Sequence, residues 1–181
     1  CFCIHGSERL IGTSDGMWYI NEESGETKFI DRKHFGDSNI NDIIYFGGRY
    51  LIATKGIMLY EPQSGTLEPL AANEMVSHGI FNNFCTVTQG DELLGSSDLG
   101  LVLIDATLQV KRVFTPFNSR LPETYPVAIF SDGEGKTWIG TTTQLCIYNE
   151  QTGQIQADNF PTAFFDKALS LHFTRAADGD V

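Results

Sequence analysis

Apolar residues come along this chain in short runs of about four to six, separated by clusters of Gly, Asp, Asn and Ser. Nowhere do they hold a sustained 3.6-residue spacing. That pattern predicts short strands joined by tight turns. The clearest stretch predicts strands at Pro126–Phe130, Thr137–Thr141, Leu145–Asn149 and Gln154–Ala157. Their connections are Asp132-Gly133-Glu134-Gly135, then Thr142-Thr143-Gln144, then Glu150–Gly153. Connections this short make antiparallel meanders rather than crossovers.

The pattern repeats. Leu10-Ile11-Gly12-Thr13, Leu51-Ile52-Ala53-Thr54, Leu93-Leu94-Gly95-Ser96 and Trp138-Ile139-Gly140-Thr141 each read as two apolar residues, a tiny one and a hydroxyl. Ile11, Ile52, Leu94 and Ile139 are 41, 42 and 45 residues apart in succession. A period in this range marks a repeat architecture, and four short strands per period make one β-propeller blade. In the same phase, Tyr19-Ile20-Asn21, Leu59-Tyr60-Glu61 and Ile147-Tyr148-Asn149 each run into a Ser-Gly or Thr-Gly turn. The third copy, Leu103-Ile104-Asp105, meets no glycine, so its turn must take another geometry.

The tiny residues suit crowded strands, and Thr13, Thr54, Ser96 and Thr141 can bond locally where a strand turns. Pro69 falls in an outermost strand, where a missing N–H is tolerated. The expected fold is therefore all-β: about four four-stranded antiparallel propeller blades, near residues 2–40, 41–81, 82–123 and 124–167. A first strand of a fifth blade would lie within 168–181, at Leu169–Phe173. Counted this way, the chain is expected to be part of a larger propeller, with its remaining blades or a second copy as partners.

Charge narrows the partners. The chain carries 12 basic against 23 acidic residues, a net charge of −11, so its field repels polyanions and no nucleic acid contact is expected. No apolar run is long enough to span a membrane. Cys1, Cys3, Cys85 and Cys146 lack paired metal or redox spacing, and no disulfide framework is expected. His5, His34, His78 and His172 show no metal-binding spacing. Gly95-Ser96-Ser97-Asp98-Leu99-Gly100 is not a nucleophile elbow, and Asp132, Glu134 and Asp178 read as turn formers. The expectation is a chain with no catalytic residues, no metal and no cofactor.

Asp132-Gly133-Glu134-Gly135-Lys136-Thr137-Trp138-Ile139-Gly140-Thr141, followed by Leu145-Cys146-Ile147-Tyr148-Asn149 and Thr152-Gly153, closely resembles the two-component regulator propeller repeat. Asp178-Gly179-Asp180-Val181 resembles the approach to a further copy. The resemblance implies the extracytoplasmic sensor region of a Bacteroides-type hybrid histidine kinase, whose propellers are seven-bladed, so that the chain is a fragment of a seven-bladed propeller. On that reading the chain is periplasmic, recognises an oligosaccharide or other small ligand, and signals to a kinase outside itself. A propeller lyase similar to streptogramin lyase and a plain protein-interaction scaffold are the alternatives.

Ligand contacts are expected on the longer connections, since loops on a rigid scaffold carry recognition. These are Asp31–Asn41, Ala71–Asn83, Thr115–Tyr125 and Asn159–Lys167. The candidate ligand-binding residues are His34, Asn39, His78, Phe81, Asn82, Arg120 and Tyr125. Aromatic rings beside amide and guanidinium groups suit a sugar, which offers an apolar face and a ring of hydroxyls. The net charge favours a neutral or only weakly charged saccharide over sulfated or uronic polymers unless Arg120 and its neighbours reverse the local field. Phe35, Phe81 and Phe164 can equally fill gaps between blades.

Overall fold

The computed structural model describes residues 1–70, 74–87 and 91–158. The expected fifth-blade strand at Leu169–Phe173 and the Asn159–Lys167 connection lie outside them. Among the described residues, sixteen strands form four sheets of four, each a meander in which sequence neighbours pair. The first sheet holds β1 (Phe2–His5), β2 (Glu8–Gly12), β3 (Gly16–Asn21) and β4 (Thr27–Asp31). The second holds β5 (Asp42–Phe46), β6 (Arg49–Thr54), β7 (Gly56–Glu61) and β8 (Thr66–Pro69). The third holds β9 (Phe81–Val87), β10 (Glu92–Ser97), β11 (Gly100–Asp105) and β12 (Val110–Phe114). The fourth holds β13 (Ala128–Ser131), β14 (Lys136–Gly140), β15 (Leu145–Asn149) and β16 (Gln154–Ala157). The fold is thus all-β, of propeller-blade type. Helix among the described residues is confined to a 3-10 turn, Arg32–Phe35, and one α-turn, Glu74–His78.

Contacts divide the chain into two compact units, Cys1–Phe84 and Cys85–Val181. In the first, one core joins Leu10, Met17 and Tyr19 of the first sheet to Ile43, Tyr50, Ile52 and Tyr60 of the second. In the second, Leu94, Leu101, Leu103 and Phe114 share a core with Ile129, Ile139, Cys146 and Tyr148. Alternation along each strand decides membership: in β2, Leu10 is buried while Ile11 beside it is exposed. Burial of side chains this size stabilises by about 1.5–3 kcal/mol each, the main force holding sheet on sheet.

A hydroxyl closes the hairpin between the second and third strands of every sheet. Thr13 Oγ1 donates to Gly16 O at 2.9 Å, Thr54 Oγ1 to Gly56 O at 3.3 Å and Thr141 Oγ1 to Gln144 O at 2.8 Å. In the third sheet the donor is Ser97, at 3.1 Å from Gly100 O. This corrects the expected alignment by one residue: Ser97, not Ser96, stands at the Thr13 position, so Leu94 corresponds to Leu10. A one-residue slip exchanges the two faces of a strand, and Leu94 accordingly joins the core shared with the fourth sheet, as Leu10 joins the one shared with the second.

Two further details refine the sequence reading. The third sheet's first strand begins at Phe81 rather than near Cys85, because its backbone finds side-chain partners: Asn41 Nδ2 donates to Phe81 O (2.7 Å) and Phe84 N to Asp42 Oδ2 (2.8 Å). The glycine-free turn after β11 is one residue shorter than its counterparts. Leu108 N donates to Asp105 O, whereas Gly25 N and Gly153 N reach back four residues, to Asn21 O and Asn149 O. Leu108 takes the left-handed conformation there, at φ 64°.

Candidate functional site

The second unit carries a cleft of about 430 Å³ lined by Arg112, Phe114, Phe117, Asn118, Ser119, Arg120, Gln154 and Ile155. One wall is the end of β12 and the turn that follows it; the other is the start of β16. The turn is built by its own side chains. Asn118 Oδ1 accepts from Thr115 N (2.8 Å) and its Nδ2 donates to Val113 O (2.9 Å), so both ends of the amide are spent on closing the loop. Ser119 Oγ donates to Thr115 O (2.7 Å) and accepts from Leu121 N (3.2 Å). Buried Leu121 then anchors the exit. Such Asx- and Ser-type turns fix a loop without a sheet partner.

The fixed turn holds Phe117 out in solvent, 96% exposed, with Arg120 three residues on. On the same wall, Arg112 lies over the Phe114 ring, 4.6 Å from its centroid, and donates across to Gly153 O through Nη1 at 2.9 Å. Its cation is therefore partly committed to holding the two walls together. The side chains of Arg120 and Gln154 have no hydrogen-bond or ion-pair partner among the described residues. The cleft thus offers one open aromatic face, a free guanidinium and a free amide, and among the described residues no carboxylate lines it. Stacking plus directional donors is chemistry that suits a small polar ring compound.

Of the seven residues expected from sequence, Arg120 lines this cleft. Tyr125 is in the same unit, 41% exposed, outside the lining. The other five lie in the first unit. His34 sits exposed in the 3-10 turn, its Nδ1 3.2 Å from Asp31 O, and Asn39 is exposed after it. His78 ends the short α-turn, exposed. Phe81 is closed to solvent and lies 6.2 Å, centroid to centroid, from Phe84, which places it in packing rather than on a binding surface. Asn82 is half-buried in β9, with its Nδ2 buried and unpaired. Phe35 is likewise core.

Sequence reasoning did not find Arg112, Phe117, Gln154 or Ile155. The Thr115-Pro116-Phe117-Asn118-Ser119 string is a turn signature with an aromatic at its tip, which marks one wall. The other wall is legible through the period: Arg112 meets Gly153, 41 residues on, at nearly the repeat length.

Around the serines of the Gly95–Gly100 loop, Ser97 Oγ serves the hairpin and also accepts from Leu99 N at 3.2 Å. Among the described residues, no three His, Cys, Asp or Glu side chains come together as a metal-holding group. No described helix is long and apolar enough to cross a membrane.

No protein-family profile matches the chain, and no curated protein matches it. Solved structures do. The extracellular domain of BT4673 from B. thetaiotaomicron, described as a one component system, matches 93% of this chain at a TM-score of 0.68 and 18% identity. The extracellular domain of BT3049 from the same organism, described as a hybrid two component system, matches 87% at 0.66 and 22%. The β-propeller domain of Cps50 (Swd1) from Myceliophteria thermophila matches 87% at 0.62 and 12%. These likenesses define the class by fold: the chain is built of β-propeller blades. It spans 23% and 22% of the two B. thetaiotaomicron chains.

Proposed function

We propose that this chain is a ligand-sensing propeller segment of a bacterial hybrid two-component receptor, located outside the cytoplasmic membrane in the periplasm. It recognises an oligosaccharide and passes the signal to a kinase outside these residues, without catalysis of its own. Its remaining partners are further propeller blades or a second copy of the chain. The repeat motif and the fold shared with extracellular domains of B. thetaiotaomicron two component systems support the receptor reading.

One observation carries the ligand reading: the open Phe117 ring beside the unpaired Arg120 and Gln154 in a cleft of ligand size. A sugar ring stacks on Phe117 while its hydroxyls accept from Arg120 and exchange hydrogen bonds with Gln154. The net charge of −11 favours a neutral saccharide, and the two cleft arginines set the local exception.

Thermal shift and calorimetry with neutral, uronic and sulfated oligosaccharides test this. Phe117→Ala and Arg120→Ala should each weaken binding about tenfold, a loss typical of one good contact. Binding that survives both substitutions unchanged would refute the cleft, and stabilisation by sulfated chains alone would refute the neutral-sugar reading.

A further inference from the structure

The outward face of the first sheet carries one continuous apolar row. Backbone register joins Phe2 to Ile11, Ile11 to Trp18, and Trp18 to Phe29, one residue from each strand. Their exposures are 70%, 38%, 41% and 43%, and Ile4 on the same face of β1 is 58% exposed. The Trp18 and Phe29 rings lie 4.9 Å apart. Scattered exposed hydrophobics need no explanation, but a row crossing a whole sheet marks an interaction surface.

The repeat shows what such a row receives. Its counterpart in the second sheet is Ile43, Ile52, Met58 and Pro69, again joined strand to strand and displaced by 40 or 41 residues. There the row is covered: Ile43, Ile52 and Met58 share a core with Leu10, Met17 and Tyr19, from the opposite face of the first sheet. The fourth sheet repeats the arrangement within its own unit. Ile129, Ile139 and Cys146, joined across β13 to β15, share a core with Leu94, Leu101, Leu103 and Phe114 of the third sheet. Both units therefore obey one rule, in which this row of a repeat is capped by the Leu10-type face of the repeat before it.

Charge identifies the occupant further. In the covered pair, Tyr50 of the second sheet donates to Glu8 on the capping face. The counterpart of Tyr50 in the first sheet is Arg9, 41 residues earlier, half-buried and bonded to Glu22 at 2.7 Å. A capping blade with a carboxylate at the Glu8 position would bring it to a guanidinium. Two copies meeting row on row would leave Arg9 without that carboxylate, because Glu8, its neighbour in β2, lies on the opposite face of the sheet.

We propose that the Phe2–Ile11–Trp18–Phe29 row is the docking face for another four-stranded blade of this repeat. That blade presents a Leu10/Met17/Tyr19-type row and a carboxylate facing Arg9. The inference specifies the partner part of the proposed function and is independent of the ligand, whose cleft lies in the other unit.

The test adds such a blade to the full chain. Residues 1–41 are duplicated in tandem ahead of residue 1, so the natural connection delivers a Glu8, Leu10, Met17 and Tyr19 face. Trp18→Phe in the added copy and Trp138→Phe throughout leave the original Trp18 as the only reporter, and the unfused Trp138→Phe chain is the reference. Acrylamide quenching of Trp18 should fall at least about twofold and its emission shift to shorter wavelength, as burial requires. Glu8→Lys in the added copy should reverse most of this change. Unchanged quenching, or an added copy that contributes no sheet signal in circular dichroism, overturns the proposal. Two results on the unfused chain would also overturn it, each by naming a different occupant. One is self-association abolished by Trp18→Lys. The other is a rise in Trp18 quenching when residues 159–181 are removed.

Discussion

The phenol of Tyr50 donates to the carboxylate of Glu8 at 2.6 Å across 42 residues of sequence, and Tyr19 donates to the other oxygen of the same carboxylate at 2.8 Å. One carboxylate thus ties two strands of its own sheet to the next sheet of the first unit. Hydrogen bonds to a charged acceptor contribute about 1.5–3 kcal/mol when partly buried. Tyr50→Phe should cost about 2 kcal/mol and Glu8→Ala about 3, because the latter takes the acceptor from two phenol O–H donors. The double variant should lose less than the sum, since both single changes remove one shared bond. Urea melts of the four proteins decide it; strict additivity would show that the pair does not interact.

Backbone conformation supplies a second prediction, with opposite signs at two kinds of position. Gly16 (φ 143°) and Gly100 (φ 130°) begin the third strands of their sheets, where an added Cβ would come within 2.1 Å of Ile30 O and 2.2 Å of Phe114 O. Gly16→Ala and Gly100→Ala should each cost about 2–4 kcal/mol, combining an unfavourable φ with a backbone collision. Leu108 sits at φ 64°, a region that costs a side-chain-bearing residue about 1–2 kcal/mol. Leu108→Gly should therefore be neutral or stabilising despite the lost side chain. Thermal denaturation of all three variants checks the contrast.

The tyrosines predict a loss of stability in alkali. Burial, and then the bond to Glu8, raises Tyr50 above the ordinary phenol range. Burial, and then neighbouring Tyr19, pushes Tyr60 up to about 12. Burial likewise raises Tyr19 and Tyr148. A phenol held neutral in the fold but free to ionise in the unfolded chain contributes stability that is complete below about pH 10. That contribution is lost as pH rises toward the folded values, near 12 for Tyr60. Phenolate absorbance at pH 10.5 should correspond to well under six ionised tyrosines until the protein unfolds. Six freely titrating phenols in a folded sample would refute the buried cluster.

Thiol chemistry separates the cysteines. Cys146 is fully buried, and burial pushes its thiol up to about 11, whereas Cys1 is exposed. At pH 8, alkylation should modify Cys1 first and leave Cys146 unmodified until denaturant is added. Peptide mass mapping over time reads this directly; early modification of Cys146 would mean that the core between the third and fourth sheets opens readily.

Much of the fold was legible in the sequence because each blade uses local chemistry. Alternating apolar residues, a hydroxyl at a hairpin and a Ser-Gly or Thr-Gly turn act within a few positions, and the period of 41 to 45 residues makes four weak signals one strong one. The third repeat shows the limit. Gly95-Ser96-Ser97 offers two adjacent hydroxyls, so the sequence alone allows two registers. The contact of Ser97 with Gly100 O selects one, and with it which face of β10 shares a core with the fourth sheet. The cleft shows a different limit: Arg120 could be named from its loop, but Gln154 and Ile155 face it only because β16 packs beside β12. Phe81 and Phe117, both aromatics near strand ends, have opposite fates, one sealed in a core and one 96% exposed. By itself the sequence determined the strands, the turns and the period, since these depend on bonds between near neighbours. Tertiary structure decided which row is covered and which side chains meet, because burial depends on the surface that arrives from another sheet.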